Sequence, residues 1–274
     1  MPGQHFPDSA EYLEDCRQLY WHTVPIINYD RGEPSVVGSG VFAVVDEFHF
    51  VFSAAHVFEP AFRNVAFGHL GSNGFEVFGA DNMRILTAKA QNGTGDAQRA
   101  VYKDGLDLAV IEPTADVLDR LRSIYRPFDL RRTLLPSSTW GVLSGWPARK
   151  NIYDSRKQKC CFDTCYHIQC PVADLQRLRQ ADWNPDVFLG LSVDKAKDFV
   201  SATSGQHIHL PNLEGVSGAG FWMRSSAVEE PHPTSWSLLG IVVEDHESRR
   251  MLKAIKIEHV WAPLRQGWGL TKTT

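Results

Sequence analysis

The chain has 274 residues, 43% hydrophobic and 22% charged, enough apolar residue to bury a sizeable core and too much for a disordered chain. Its 28 Lys and Arg against 32 Asp and Glu give a formal charge of -4 with no long basic run, which argues against a nucleic-acid partner. No apolar stretch reaches the ~20 residues of a spanning helix, so no membrane is expected as a partner. The opening Met1-Pro-Gly-Gln-His5 lacks the basic start and apolar run of a secretory signal. Five cysteines, four of them crowded into residues 160 to 170, do not resemble the spread framework of a secreted disulfide-stapled domain, and reduced thiols in a cytoplasmic protein are expected.

Over residues 8 to 20, Tyr12, Leu13, Cys16, Leu19 and Tyr20 fall on one helical face, and Asp8 and Glu11 have capping-box spacing, which predicts a docking helix. The period then changes. Val24 to Asn28, Val36 to Val45, Phe48 to Ser53, Ala66 to Leu70, Phe75 to Phe78, Arg84 to Lys89 and Leu108 to Ile111 are short runs between turn residues, a spacing that suggests a barrel. Residues 114 to 126 loosen into a short helix and connector. Trp140 to Gly145 opens a second strand series, continued by Cys165 to Gln169, Val187 to Ser192, Phe221 to Arg224, Leu238 to Val243 and Leu252 to Ile257. A helical turn is expected within 172 to 186, long loops over 193 to 212 and 225 to 235, and a short closing helix over Val260 to Arg265.

Three segments carry the chemistry: Phe52-Ser-Ala-Ala-His56 after a strand, Gly105-Leu-Asp107-Leu-Ala-Val110, and Gly215-Val-Ser217-Gly-Ala-Gly220 before another strand. Singly, each has an ordinary reading as a packed histidine, a turn aspartate or a small-residue loop. Together, in the order His, Asp, Ser, they resemble the signature blocks of the trypsin-like, two-barrel serine peptidase superfamily over roughly residues 23 to 262. The residue types suit the chemistry, because a serine hydroxyl is a weak nucleophile until an imidazole takes its proton, and a carboxylate on the other ring nitrogen fixes the tautomer. The resemblance makes Ser217 the nucleophile, His56 the general base and Asp107 the orienting group, with the N–H groups of Gly215 and Ser217 as the oxyanion hole. An α/β-hydrolase is a poor fit, since Ala219 replaces the second glycine of its nucleophile elbow and no alternating strand and helix pattern precedes Ser217.

The resemblance implies an all-β fold of two packed six-stranded antiparallel barrels with an N-terminal helix and a short C-terminal helix. The expected division is an N-terminal segment over 1 to 22, one lobe over 23 to 134 and a second over 135 to 274. It places the specificity pocket at Pro211, Asn212, Leu213 and Glu214, with walls at Val243, Glu244, Asp245 and Ala254, and marks Leu239 to Asp245 as the strand that pairs with extended substrate. The acidic residues among these admit either basic-side-chain selection or a solvated rim. Val216 stands where the cleavage-activated branch of that superfamily has an aspartate, and Thr23-Val-Pro-Ile26 lacks the activation sequence, so activation by a freed N-terminus is not expected. Extended backbone would put Cys161, Asp163, Cys165 and His167 on one face, but no second ligand pair accompanies them, and neither a metal nor another cofactor is expected. The expected activity is peptide-bond hydrolysis on a protein or peptide substrate, with scope for a regulatory protein partner. The alternatives are a catalytically silent binding module of the same fold and an esterase.

Overall fold

The computed structural model describes residues 18–30, 33–58, 65–71, 74–79, 84–88, 106–132, 140–148, 151–154, 159–162, 166–193, 199–201, 213–224, 236–246 and 250–270. It is predominantly β. The first sheet comprises β1 (Thr23–Asp30), β2 (Glu33–Val45), β3 (Phe48–Ala54), β4 (Val65–Gly71), β5 (Gly74–Phe78), β6 (Arg84–Ala88), β7 (Leu108–Glu112) and the two-residue β8 (Phe128–Asp129). Its strand order is β5-β4-β1-β2-β3-β7-β6, and β8 lies parallel beside β2. The second sheet begins with β9 (Trp140–Gly145), which is followed by a separate hairpin of β10 (Asn151–Asp154) and β11 (Lys159–Phe162). It continues through β12 (Tyr166–Pro171), β13 (Phe188–Ser192), β14 (Phe199–Ser201), β15 (Gly220–Arg224), β16 (Trp236–His246) and β17 (Met251–Lys256), in the order β13-β17-β16-β15-β9-β12-β14.

The two sheets share a cyclic strand order. Leaving out β5 and β8, the first sheet reads fourth, first, second, third, sixth, fifth; leaving out β14, the second reads third, sixth, fifth, fourth, first, second. Both are the cycle first-second-third-sixth-fifth-fourth, opened at different places. Six strands per sheet undercounts what is observed, because β4 runs on into a hairpin with β5, β8 adds to β2, and β14 adds to β12. No ladder among the described residues joins the end strands of either sheet, although one antiparallel bridge, Val172 to Leu191, links the residue after β12 to β13.

The strands form where side-chain alternation buries both faces. On β3, Phe50 and Phe52 enter the main core while Val51 points the other way, to a second cluster with Val24, Phe42, Phe67 and Ile111. Helix α1 (Ala115–Ile124) covers that second cluster with Val117 and Leu121, three and four residues being the spacing that stacks side chains on one face. The two-residue turn Asp46-Glu47 between β2 and β3 puts Asp46 at a φ of 54°, the left-handed backbone that tight hairpins require. Helix α2 (Leu175–Gln180) starts where the Asp174 side chain accepts from the Arg177 N–H at 2.9 Å, and α3 (Trp261–Trp268) ends at Gly269 with a φ of 69°. These helices fall where the sequence places them. Of the helix expected over residues 8 to 20, only Gln18–Tyr20 is described; it is helical and Leu19 is fully buried. The expected loops over 193 to 212 and 225 to 235 lie largely outside the described residues. Among the described residues no helix is long and apolar enough to cross a membrane.

Buried polar contacts stitch the sheets together. Thr23 Oγ1 donates to the Leu19 carbonyl at 2.8 Å and is hydrogen-bonded to Ser144 Oγ of β9, also at 2.8 Å. Trp146 Nε1 donates to the Thr23 carbonyl at 3.3 Å. All of these hydroxyl groups are inaccessible to solvent, so each needs its partner.

Candidate active site

His56 and Asp107 meet because their strands pair. Ala54, the last residue of β3, is opposite Leu108, the first of β7, so the residues just beyond the ladder emerge side by side. The Ala55 N–H donates to the Asp107 carbonyl at 3.0 Å, continuing the ladder one step. Both Asp107 carboxylate oxygens are then used on His56: Oδ1 accepts the backbone N–H at 2.8 Å and Oδ2 accepts Nδ1–H at 2.5 Å. This fixes the ring and leaves Nε2 as the acceptor nitrogen. Both side chains are partly exposed, so the pair opens onto solvent.

Ser217 sits on a loop of two successive turns, closed by Val216 N–H to the Leu213 carbonyl at 3.0 Å and Ala219 N–H to the Val216 carbonyl at 2.9 Å. The third residue of each turn is glycine with positive φ, 86° at Gly215 and 89° at Gly218, as a type II turn demands. A side chain would not fit at either place. A Cβ on Gly215 would lie 2.5 Å from the Ala148 nitrogen, and one on Gly218 would overlap the Ser39 carbonyl and the Ser53 hydroxyl.

The loop is clamped from the first sheet by Ser39 of β2. Ser39 N–H donates to the Ser217 carbonyl at 2.7 Å, and Ser39 Oγ donates to the Gly215 carbonyl at 2.9 Å while accepting the Trp146 N–H at 2.8 Å. Ser53, three residues before His56, donates to the Ser39 carbonyl at 2.7 Å. The Glu214 carbonyl is held by the Ala148 N–H at 2.6 Å, so in this trans peptide the Gly215 N–H faces away from Ala148. Among the described residues neither the Gly215 nor the Ser217 N–H has an acceptor. Val216, between them, is 2% exposed and packed among Leu213, Ala219 and Leu143.

The three residues line one cavity of about 360 Å³, together with Phe188, Val243, Glu244 and Lys253. Val243 and Glu244 are neighbours in sequence and would face opposite sides of a regular strand. Both reach the cavity at a bulge: Val242 pairs with Ala254 and Glu244 with Lys253, leaving Val243 as an extra residue. No hydrogen bond joins Ser217 to His56 among the described contacts, an interaction that commonly tightens only with substrate in place.

The other sequence-derived candidates separate by environment. Val243 and Glu244 line the cavity; Leu213 and Ala254 are buried in the apolar cluster behind it; Glu214 is exposed. Asp245 stands opposite Leu252 at the β16–β17 pairing, and Pro211 and Asn212 lie outside the described residues. Cys160 and Cys161 lie in β11 and Cys170 in β12, while Cys165 falls outside the described residues. Phe188, Lys253 and the Ser39 clamp escaped sequence reasoning. The Gly38-Ser39-Gly40 run was the available signal: a Cβ on Gly38 would press on Val57 at 2.7 Å, so that glycine exists for a close approach next to His56. No family model matches this chain, and no curated protein matches it.

Proposed function

We propose that the chain is a trypsin-like serine endopeptidase that hydrolyses peptide bonds through an acyl-enzyme on Ser217. The observation that carries this reading is the meeting in one cavity of a His56 ring, oriented by both oxygens of Asp107, with Ser217, on whose loop the Gly215 and Ser217 N–H groups have no acceptor among the described residues. In the reaction, Ser217 Oγ attacks the substrate carbonyl carbon as its proton passes to His56 Nε2. The carbonyl oxygen becomes an oxyanion held by the two N–H groups. The imidazolium, stabilised by Asp107, returns the proton to the leaving amine, and the C–N bond breaks. Water then attacks the acyl-enzyme, giving its proton to His56, and Ser217 leaves with that proton restored. No cofactor takes part in these steps.

The two-barrel architecture belongs to the same proposal. Its support is the cyclic order shared by both sheets, together with the Val172–Leu191 bridge spanning the gap between β12 and β13. The burial of Val216 in apolar surroundings supports a form that is not switched on by a freed N-terminal ammonium, since a buried charge there would have no counter-charge.

The test is labelling by a serine-directed fluorophosphonate, with the modified residue located by peptide mass. Labelling at Ser217, lost in Ser217→Ala and His56→Ala, is the expected result. A folded parent that neither labels nor cleaves any peptide of a diverse library would overturn the peptidase reading in favour of a silent binding module. Cleavage of esters but not peptides would reassign it as an esterase.

A further inference from the structure

The cavity lined by His56, Asp107 and Ser217 also carries a cation in an unusual setting. Lys253 of β17 stands directly across from Glu244 of β16, and its Nζ donates to Glu244 Oε2 at 3.3 Å. The same Nζ lies 4.3 Å from the centre of the Phe188 ring and 5.6 Å from that of Trp183. The Lys253 side chain is 20% exposed, whereas Glu244 is 50% exposed. An ammonium has three donors, and Glu244 is its only hydrogen-bond acceptor among the described residues.

Resting on the peptidase reading, we propose that this cavity selects an acidic side chain of the substrate, with Lys253 as the specificity-determining residue and the Phe188 ring beside it in the lining. The asymmetry in hydration decides between acid and base. Lys253 has already given up most of its water on folding and is held in place by the rings, so an arriving carboxylate gains a preorganised partner with little further desolvation. Glu244 is the internal stand-in that this carboxylate displaces, and it returns to water readily. A basic side chain would instead pair with a half-exposed carboxylate, an interaction of small worth, and would approach Lys253 as a like charge.

The experiment measures kcat/KM on peptides that differ only by Glu or Gln at each position around the cut, for the parent, Lys253→Met and Glu244→Gln. At one position the parent is expected to favour Glu over Gln by roughly tenfold, a modest value for a close desolvated charge pair. Lys253→Met erases that preference and Glu244→Gln enlarges it by removing the competitor. A parent with no preference for Glu over Gln at any position, or a Glu preference unchanged in Lys253→Met, overturns the proposal. So does a preference that shrinks in Glu244→Gln. The same peptide pairs, titrated against Ser217→Ala by fluorescence anisotropy, keep the two readings apart. Absent labelling and cleavage with Glu-selective binding that depends on Lys253 would sink the peptidase reading alone, and unselective binding would sink this proposal.

Discussion

At the scale of single residues, Asp107 is the most constrained member of the site, because each of its oxygens accepts a different N–H of His56. This sharpens what Asp107→Asn does. The backbone N–H of His56 cannot change its role, so the amide oxygen stays on it and the amide NH2 is turned toward Nδ1. Nδ1 must then accept, which moves the ring proton to Nε2, the nitrogen that takes the Ser217 proton in the proposed mechanism. The fold should survive, since the substitution is nearly isosteric, while turnover falls by about 10³ to 10⁴. Burst titration of active sites together with kcat would measure this; retention of more than a tenth of parental kcat would rule out the orienting role.

At the scale of elements, the Ser217 loop is shaped by its own turns and fixed by β2. Ser39 is fully buried and its hydroxyl serves both the Gly215 carbonyl and the Trp146 N–H. Ser39→Ala leaves both groups unpaired inside the protein, a loss of about 2 to 3 kcal/mol, and loosens the peptide that carries the proposed oxyanion donors. Urea melts should show that loss, and fluorophosphonate labelling should slow even where the variant is fully folded; equal stability and equal labelling would show that the clamp is idle. The turn chemistry of this loop was legible, since Gly215 and Gly218 stand where type II turns need positive φ. So were the helices and most strands, whose periods are set by local burial. The clamp was not, because Ser39 and Gly215 are 176 residues apart and meet only after two sheets have packed. Likewise Lys253 joins the cavity through cross-strand pairing with Glu244 and a bulge at Val243, and neither register nor bulge is written in hydrophobic periodicity. Phe75 to Phe78 was legible as a strand, but its place at the sheet edge was not, and neither were the additions of β8 and β14, because pairing at a sheet edge depends on which edge is free.

At the scale of the whole molecule, His22 links the two sheets and makes their union sensitive to pH. It directly precedes β1, and its carbonyl accepts the Phe42 N–H at 2.9 Å. Its Nδ1–H donates to the Arg126 carbonyl at 2.6 Å. Its ring stacks on Trp222 of the second sheet at 5.7 Å and meets Phe128 of the first edge-on, also at 5.7 Å. Burial between these rings disfavours the charged form and lowers the pKa from 6.5 to about 4, with the neighbouring Arg126 charge acting in the same direction and the Arg126 carbonyl opposing. The sign follows from proton counting. Between about 4 and 6.5 the unfolded chain binds a proton at this residue that the folded chain refuses, so stability rises with pH through that window. The contribution is fully present above 6.5, is lost progressively as pH falls, and has gone below about 4. It amounts to at most about 3 kcal/mol. His22→Phe keeps an aromatic ring in the seam but cannot titrate; it loses the Arg126 hydrogen bond at every pH, which lowers its curve without tilting it. Urea unfolding at pH 7.5 and at pH 4.5 should therefore show the parent losing more stability than the variant, by roughly 2 to 3 kcal/mol. Parallel losses in the two proteins would mean that the ring is hydrated, and that the seam between the sheets is open at this point.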